Sequence, residues 1–203
     1  MPSKRSYVSP LREQAAARTR ELILSHATRL FAERGYGRVT VADIAAAAGV
    51  ASKTVFTSVG SKSDILNRVV DEGVNASGYA RAMEALLAER SPESVLRLLA
   101  HGTRVGNESQ FTVHEAIRKA LPVHEDGEAL WERATADYRD ALHTAARHLH
   151  VLPAPPAHSV EDTAGLLWHC FGPAGWRALV VESGWTWDHA EEALYRTALA
   201  ALR

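Results

Sequence analysis

TVADIAAAAGVASKTVFTSVGSKSDIL, residues Thr40 to Leu66, is the stretch on which the reading of this chain turns. It holds two short helical patterns split by a glycine. Neither is long enough to stand alone, since isolated helices below about 12–15 residues are marginal in water. Thr40 precedes Val41, Ile44, Ala45 and Ala48, an i, i+3, i+4, i+7 face one short helix long. The Thr40 hydroxyl can accept from a first-turn amide, and Asp43 stands where the acidic member of a capping box belongs. Gly49 closes this helix where a left-handed residue is wanted. A second pattern follows from about Ser52 to Val59, with Val55 and Val59 inward and Ser52, Lys53, Thr54, Thr57 and Ser58 outward. Gly60 ends it, and Ser61 with Asp64 caps a further helix whose first-turn residue is Lys62.

Two short helices meeting at a glycine-bearing turn are a helix-turn-helix, in which the second helix is presented as a rod. A rod of that diameter fits the major groove of DNA, and small polar side chains let its backbone approach the bases. The same pattern is compatible with a plain three-helix bundle that binds nothing. Upstream, Ile23, Ala27, Leu30 and Phe31 share one face of a helix over 12–34, which Gly35 and Gly37 end.

Charge is divided along the chain. Through residue 70 there are eleven Lys/Arg against five Asp/Glu, and beyond it twelve against nineteen. A basic first third joined to an acidic remainder points to an anionic partner for the first part alone. No apolar run is long enough to span a membrane, and the basic opening MPSKRSYVSPLREQ has no apolar stretch behind it, so neither a membrane partner nor a secretory signal is expected. Cys170 is the sole cysteine, which excludes an internal disulfide and a cysteine-cluster zinc site and favours a reducing cytoplasm.

The remainder reads as helix: from Pro92 towards Gly106, about 109–120, about 126–150, and from Val160 to Gly184 with a bend at Gly172-Pro173. A last helix starts near Thr186, and LPAPPAHS is a connecting loop. No stretch alternates as a strand would. The expected architecture is therefore all-α. Residues 1–14 form a flexible basic arm, 15–66 the helix-turn-helix domain and 67–203 a helical ligand-binding and dimerisation domain. A single short recognition helix covers few base pairs, so a homodimer on paired half-sites is expected. Its seam is sought on the last two helices, along Ala190, Ala193, Leu194, Thr197, Ala198, Ala201 and Leu202, with Val160, Ala164, Leu167, Trp168 and Phe171 before them; ordinary core is the alternative. Phe111, Trp131, Tyr138, Trp168 and Phe171 are candidates to line a pocket for an apolar or flat ligand, against the alternative that each only packs the core. His143, His148 and His150 lack a mutual i, i+3 or i+4 spacing, and no HExxH, GxSxG or glycine-rich phosphate loop occurs. Catalytic, metal and cofactor sites are thus not expected.

Arg20, Ile23, Ala27, Phe31, Gly35 and Tyr36, then TVADIAAAAGV, Thr54-Val55-Phe56 and Ser61-Lys62, resemble the tetracycline-repressor (TetR) family of bacterial regulators over about residues 15–66. The resemblance implies that Thr40 and Val41 meet a phosphate, that Ser52, Lys53 and Thr54 front the recognition helix, and that Lys62 is held towards the DNA backbone. Phe56 stands where the family usually has a tyrosine whose hydroxyl grips a phosphate. Ser58 replaces a larger side chain, and Thr57 belongs to the same outer surface. The resemblance also implies double-stranded DNA and a small-molecule effector as partners, and repression as the commoner outcome. The competing reading is an all-helical enzyme or lipid-binding protein whose N-terminal bundle binds no DNA.

Overall fold

The computed structural model describes residues 10–75 and 79–203, and among these every regular element is helical. The order is α1 (Pro10–Arg34), a 3-10 turn (Tyr36–Arg38), α2 (Val41–Ala47), α3 (Ser52–Ser58), α4 (Lys62–Asn75), α5 (Tyr79–Ala88), α6 (Pro92–Ala120), α7 (Gly127–Val151), α8 (Val160–Phe171), α9 (Pro173–Arg177), a π turn (Ala178–Glu182) and α10 (Trp187–Ala201). Residues 10–14, expected within the N-terminal arm, are the first turns of α1; residues 1–9 of that arm lie outside the described residues.

The chain divides into two compact units. The first takes the residues up to Glu72 together with Thr112–Trp131, and the second Gly73–Phe111 with Glu132–Arg203. In the first, α1 packs against both α2 and α3, which pack on each other. Ile23, Ala27 and Phe31 of α1, Ile44 of α2, Val55 of α3 and Ile65 of α4 are each fully buried. That shared core supplies what helices of seven residues lack by themselves. The second unit buries Leu86 of α5, Leu96 and Leu99 of α6, Leu142 and Leu149 of α7, Leu167 and Phe171 of α8, Trp176 of α9 and Leu194 of α10 in one cluster.

Three expectations about the helices are corrected. Residues 92–120 are one helix, not two: the glycines at 102 and 106 are carried inside it. An interior glycine costs about 1 kcal/mol against alanine, too little to break a helix with a continuous buried face. Tyr79–Ala88 is a helix where none was expected. The Gly172-Pro173 pair ends one helix and starts another instead of bending a single one. Gly172 is extended (φ −68°, ψ 166°) and Pro173 takes the first helical position of α9. A Cβ at Gly172 would lie 2.4 Å from the Trp168 carbonyl oxygen, so only glycine permits this join.

Candidate nucleic-acid interface

The local chemistry of residues 40–64 sets the site. The Thr40 amide and hydroxyl donate to Asp43 Oδ2 at 2.8 and 2.6 Å, and the Asp43 amide donates to Thr40 Oγ1 at 3.1 Å. This complete capping box starts α2 at Val41. At the other end the Gly49 amide reaches the Ala46 carbonyl and the Val50 amide that of Ala45, the paired bonds of a Schellman motif, with Gly49 at φ +67°. Ser61 and Asp64 repeat the box for α4, with bonds of 2.7 to 3.2 Å. Bonds from Thr40 hold the Asp43 carboxyl below the usual carboxylate range, and bonds from Ser61 do the same for Asp64.

Between these boxes α3 is oriented by its own apolar side. Val55 and Val59 are buried, which turns Lys53, Phe56 and Thr57 into solvent, with Ser52, Thr54 and Ser58 partly covered at the flanks. Phe56 is 54% exposed, a large ring facing solvent. The Thr57 hydroxyl points its proton back at the Lys53 and Thr54 carbonyls (3.0 and 3.1 Å), so towards solvent it presents an acceptor. Arg20 of α1 donates through Nε to the Ser58 carbonyl at 3.4 Å, tying the end of α3 to α1.

Lys62 is partly buried, and its ammonium is engaged inside the chain. Nζ donates to the Tyr36 and Val39 carbonyls at 3.1 and 3.0 Å and lies 4.2 Å from the centroid of the Tyr36 ring. Two of its three N–H groups thus fasten the start of α4 to the segment leading into α2. The other end of this unit, Thr112–Trp131, was not assigned to it from the sequence. There Lys119 Nζ donates to the Ala32 and Glu33 carbonyls at the C-terminal end of α1, a favourable place for a cation. His124 completes the join: its Nε2 is 2.9 Å from Ser63 Oγ, its Nδ1 accepts from the Asp126 amide, and its ring meets Tyr36 edge-on.

The aromatic candidates are dispersed. Tyr138, Trp168 and Phe171 converge in the second unit, where the Tyr138 hydroxyl donates to the Phe171 carbonyl and the Tyr138 and Trp168 rings meet edge-on at 5.6 Å. Phe171 is wholly buried, and its carbonyl also accepts from Trp176 Nε1 at 2.9 Å. Phe111 packs against Trp187 in that unit, while Trp131 belongs to the first unit and faces His114. Of the residues on which a seam was expected, Ala190, Leu194, Ala198 and Leu202 are buried in the unit's own core, leaving Thr197 exposed and Ala193 and Ala201 partly covered. Asn107, a buried amide bonded to Tyr138, was missed, although its place four residues after Thr103 and eight after Leu99 puts it on the buried face. Burial pushes the Cys170 thiol up, away from the thiolate a nucleophile needs.

A short helix propped outward by a capped partner and a bracing third helix, with a cation and a ring on its outward side, is a helix-turn-helix, the arrangement that places a helix in a DNA groove. Residues 23–69 match the family model described as bacterial regulatory proteins, tetR family. That match covers the helix-turn-helix and its flanking helices, the part of the chain that presents α3. No curated protein is similar enough in sequence to count as a relative. Among solved structures, the chain resembles a transcriptional regulator from Saccharomonospora viridis in complex with choline (20% identity, TM-score 0.69, 89% of this chain and 95% of the other). It also resembles the fatty acid degradation regulator FadR from Bacillus halodurans (15%, 0.71, 98% and 99%) and FadR from Bacillus subtilis in complex with stearoyl-CoA (14%, 0.71, 90% and 99%). At such identities the likeness is one of fold. No helix among the described residues is long and apolar enough to cross a membrane.

Proposed function

We propose that the chain is a cytoplasmic, dimeric repressor that reads a near-palindromic operator with α3 and leaves it when a small molecule binds the second unit. The observation that supports this most directly is the outward side of α3, where Lys53, Phe56 and Thr57 stand free over a sealed underside. In this reading Lys53 and Thr54 contact base edges, with Ser52 and Ser58 at the flanks of the same surface. Phe56 has no hydroxyl for a phosphate and instead offers its ring to a thymine methyl. Because the Thr40 hydroxyl is committed to Asp43, the phosphate at Thr40 and Val41 is met by first-turn amides of α2, which no helix carbonyl can reach. Lys62 contributes at most its one remaining N–H.

Dimerisation through α8 and α10 uses what those helices leave outside the core, including Gly165, Ala193, Thr197 and Ala200. Two recognition helices then enter successive major grooves about 34–36 Å apart. An effector that prefers another separation of those helices shifts the population off DNA, by no more than its differential affinity for the two states. Two structural neighbours carry small molecules, choline in one and stearoyl-CoA in the other, which supports an effector-responsive regulator.

A mobility-shift titration on DNA upstream of the protein's own gene, repeated over a salt series, tests the proposal. A saturable complex containing two chains, with affinity falling steeply as salt rises, is expected. Salt-insensitive or absent association refutes it.

A further inference from the structure

The loop that leaves α7 runs Pro153-Ala154-Pro155-Pro156, and Ala154 sits at φ +58°, the one non-glycine in the left-handed region among the described residues. That conformation is costly for alanine and persists only where its surroundings enforce it. The three prolines around it have fixed φ. His158 Nε2, two residues further on, donates to the Ala201 carbonyl of α10 at 3.1 Å and pins the loop there. The loop is thus a stiff wall, held in place at both ends.

Behind it, within the second unit, lies a cavity of about 320 Å³. Its floor is apolar: Leu96 of α6, Leu149 of α7 and Leu202 after α10 all line it and are buried. None of the aromatic candidates lines it, nor do Ala193, Thr197 or Ala200 on the side of α10 given to dimerisation. A cavity of about 150 Å³ holds a benzene ring, so this one has room for a body of two rings.

Two opposite charges also line it, Glu93 in the first turn of α6 and Arg203 just past α10. Glu93 Oε1 and Arg203 Nη2 are 4.0 Å apart, beyond hydrogen-bond reach, and both side chains are more than half exposed. Each keeps most of its capacity for another partner. The last carbonyls of α10, which have no acceptor role within the helix, add to the negative side; that of Ala201 is already taken by His158. A lone cation is attracted by Glu93 and repelled by Arg203, and a lone anion the reverse, so in both cases the two effects largely cancel. A molecule carrying both charges gains from both.

We infer that this cavity binds a zwitterionic amino acid with a bulky apolar side chain, its ammonium towards Glu93, its carboxylate towards Arg203 and its side chain on the leucine floor. The inference does not depend on operator binding. Calorimetric titration of the full chain with L-tryptophan, tryptamine and indole-3-propionate tests it, because the three share a ring system and differ in charge. Tryptophan should bind saturably at one site per chain, with each analogue about two- to fivefold weaker, as suits exposed charges. Glu93→Gln should then favour indole-3-propionate over tryptamine, and Arg203→Gln should favour tryptamine over indole-3-propionate. Both side chains stand in solvent, so neither change threatens the fold. No saturable binding, equal affinity for all three compounds, or an order of the two analogues that is the same in both variants would overturn the inference.

Discussion

Replacing Lys62 with methionine keeps the aliphatic stem in place and removes only the ammonium. In the native chain that group serves two carbonyls and one ring. The Tyr36 carbonyl also accepts from the Val39 amide at 3.2 Å, so it keeps a partner after the change. The Val39 carbonyl loses the Lys62 N–H. Leaving a partly buried carbonyl unsatisfied costs about 1–3 kcal/mol, and losing the ammonium over Tyr36 a further 0.5–1 kcal/mol or so. The expected destabilisation is therefore about 2–3 kcal/mol, placed in the first unit. Urea unfolding of the full chain measures it. A salt series on operator DNA measures the competing role, because each lost phosphate contact flattens the slope of log K against log salt by about 0.9, and a dimer would lose two. If fastening is the main task of Lys62, stability falls and the slope stays nearly constant. An unchanged urea midpoint with a slope flatter by one to two units would refute the assignment and return Lys62 to the DNA backbone.

Other perturbations separate reading from scaffolding. Lys53→Ala should change base preference, by about 1–3 kcal/mol at the bases it touches, with little effect on stability; binding measured on single-base operator variants decides this. Phe56→Tyr should tighten binding to all sequences alike by supplying a hydroxyl to a phosphate; a gain confined to particular bases would contradict that. His114, partly buried beside Trp131, has its pKa lowered to about 4, first by desolvation and against the pull of Glu115. Its neutral form is the folded one, so its contribution is intact above the ordinary histidine value near 6.5 and is lost progressively down to about 4, by up to about 3 kcal/mol. His114→Gln should flatten that part of the stability-versus-pH curve measured by urea unfolding. Asp43 and Asp64 behave differently: their depressed carboxyls stabilise at neutral pH, and the benefit vanishes as pH falls through their folded values. The double variant Asp43→Asn/Asp64→Asn should therefore be less stable than wild type at pH 7 and equal to it in strong acid.

The first unit was legible where its chemistry is local. Thr40 with Asp43 and Ser61 with Asp64 are caps spelled within four residues, and Gly60 shows why its position admits no side chain. At φ +116° a Cβ there would lie 2.5 Å from Asp64 Oδ2, the oxygen that closes the next box. The short helices, their order and the exposed side of α3 all follow from such neighbours in sequence. What could not be read is the part of the unit that returns from far along the chain. Lys119 reaches the end of α1 across 87 residues and His124 reaches Ser63 across 61, and neither has a periodic signature. The same limit applies to Lys62, whose partners, the Tyr36 and Val39 carbonyls, are fixed by tertiary packing.

In the second unit, sequence pattern identified buried faces and could not say what they face. The small-residue stripe of α10 fits a subunit seam and a core equally well, because close helix approach needs the same residues in both; the core takes four of its seven positions. The aromatic candidates carry the same ambiguity, since a ring at a buried position packs whether or not a ligand follows. Asn107 carries more information than any of them. An apolar residue at its place would pack at no electrostatic cost, whereas an amide with one half satisfied and the other not is tolerable only if something supplies a donor.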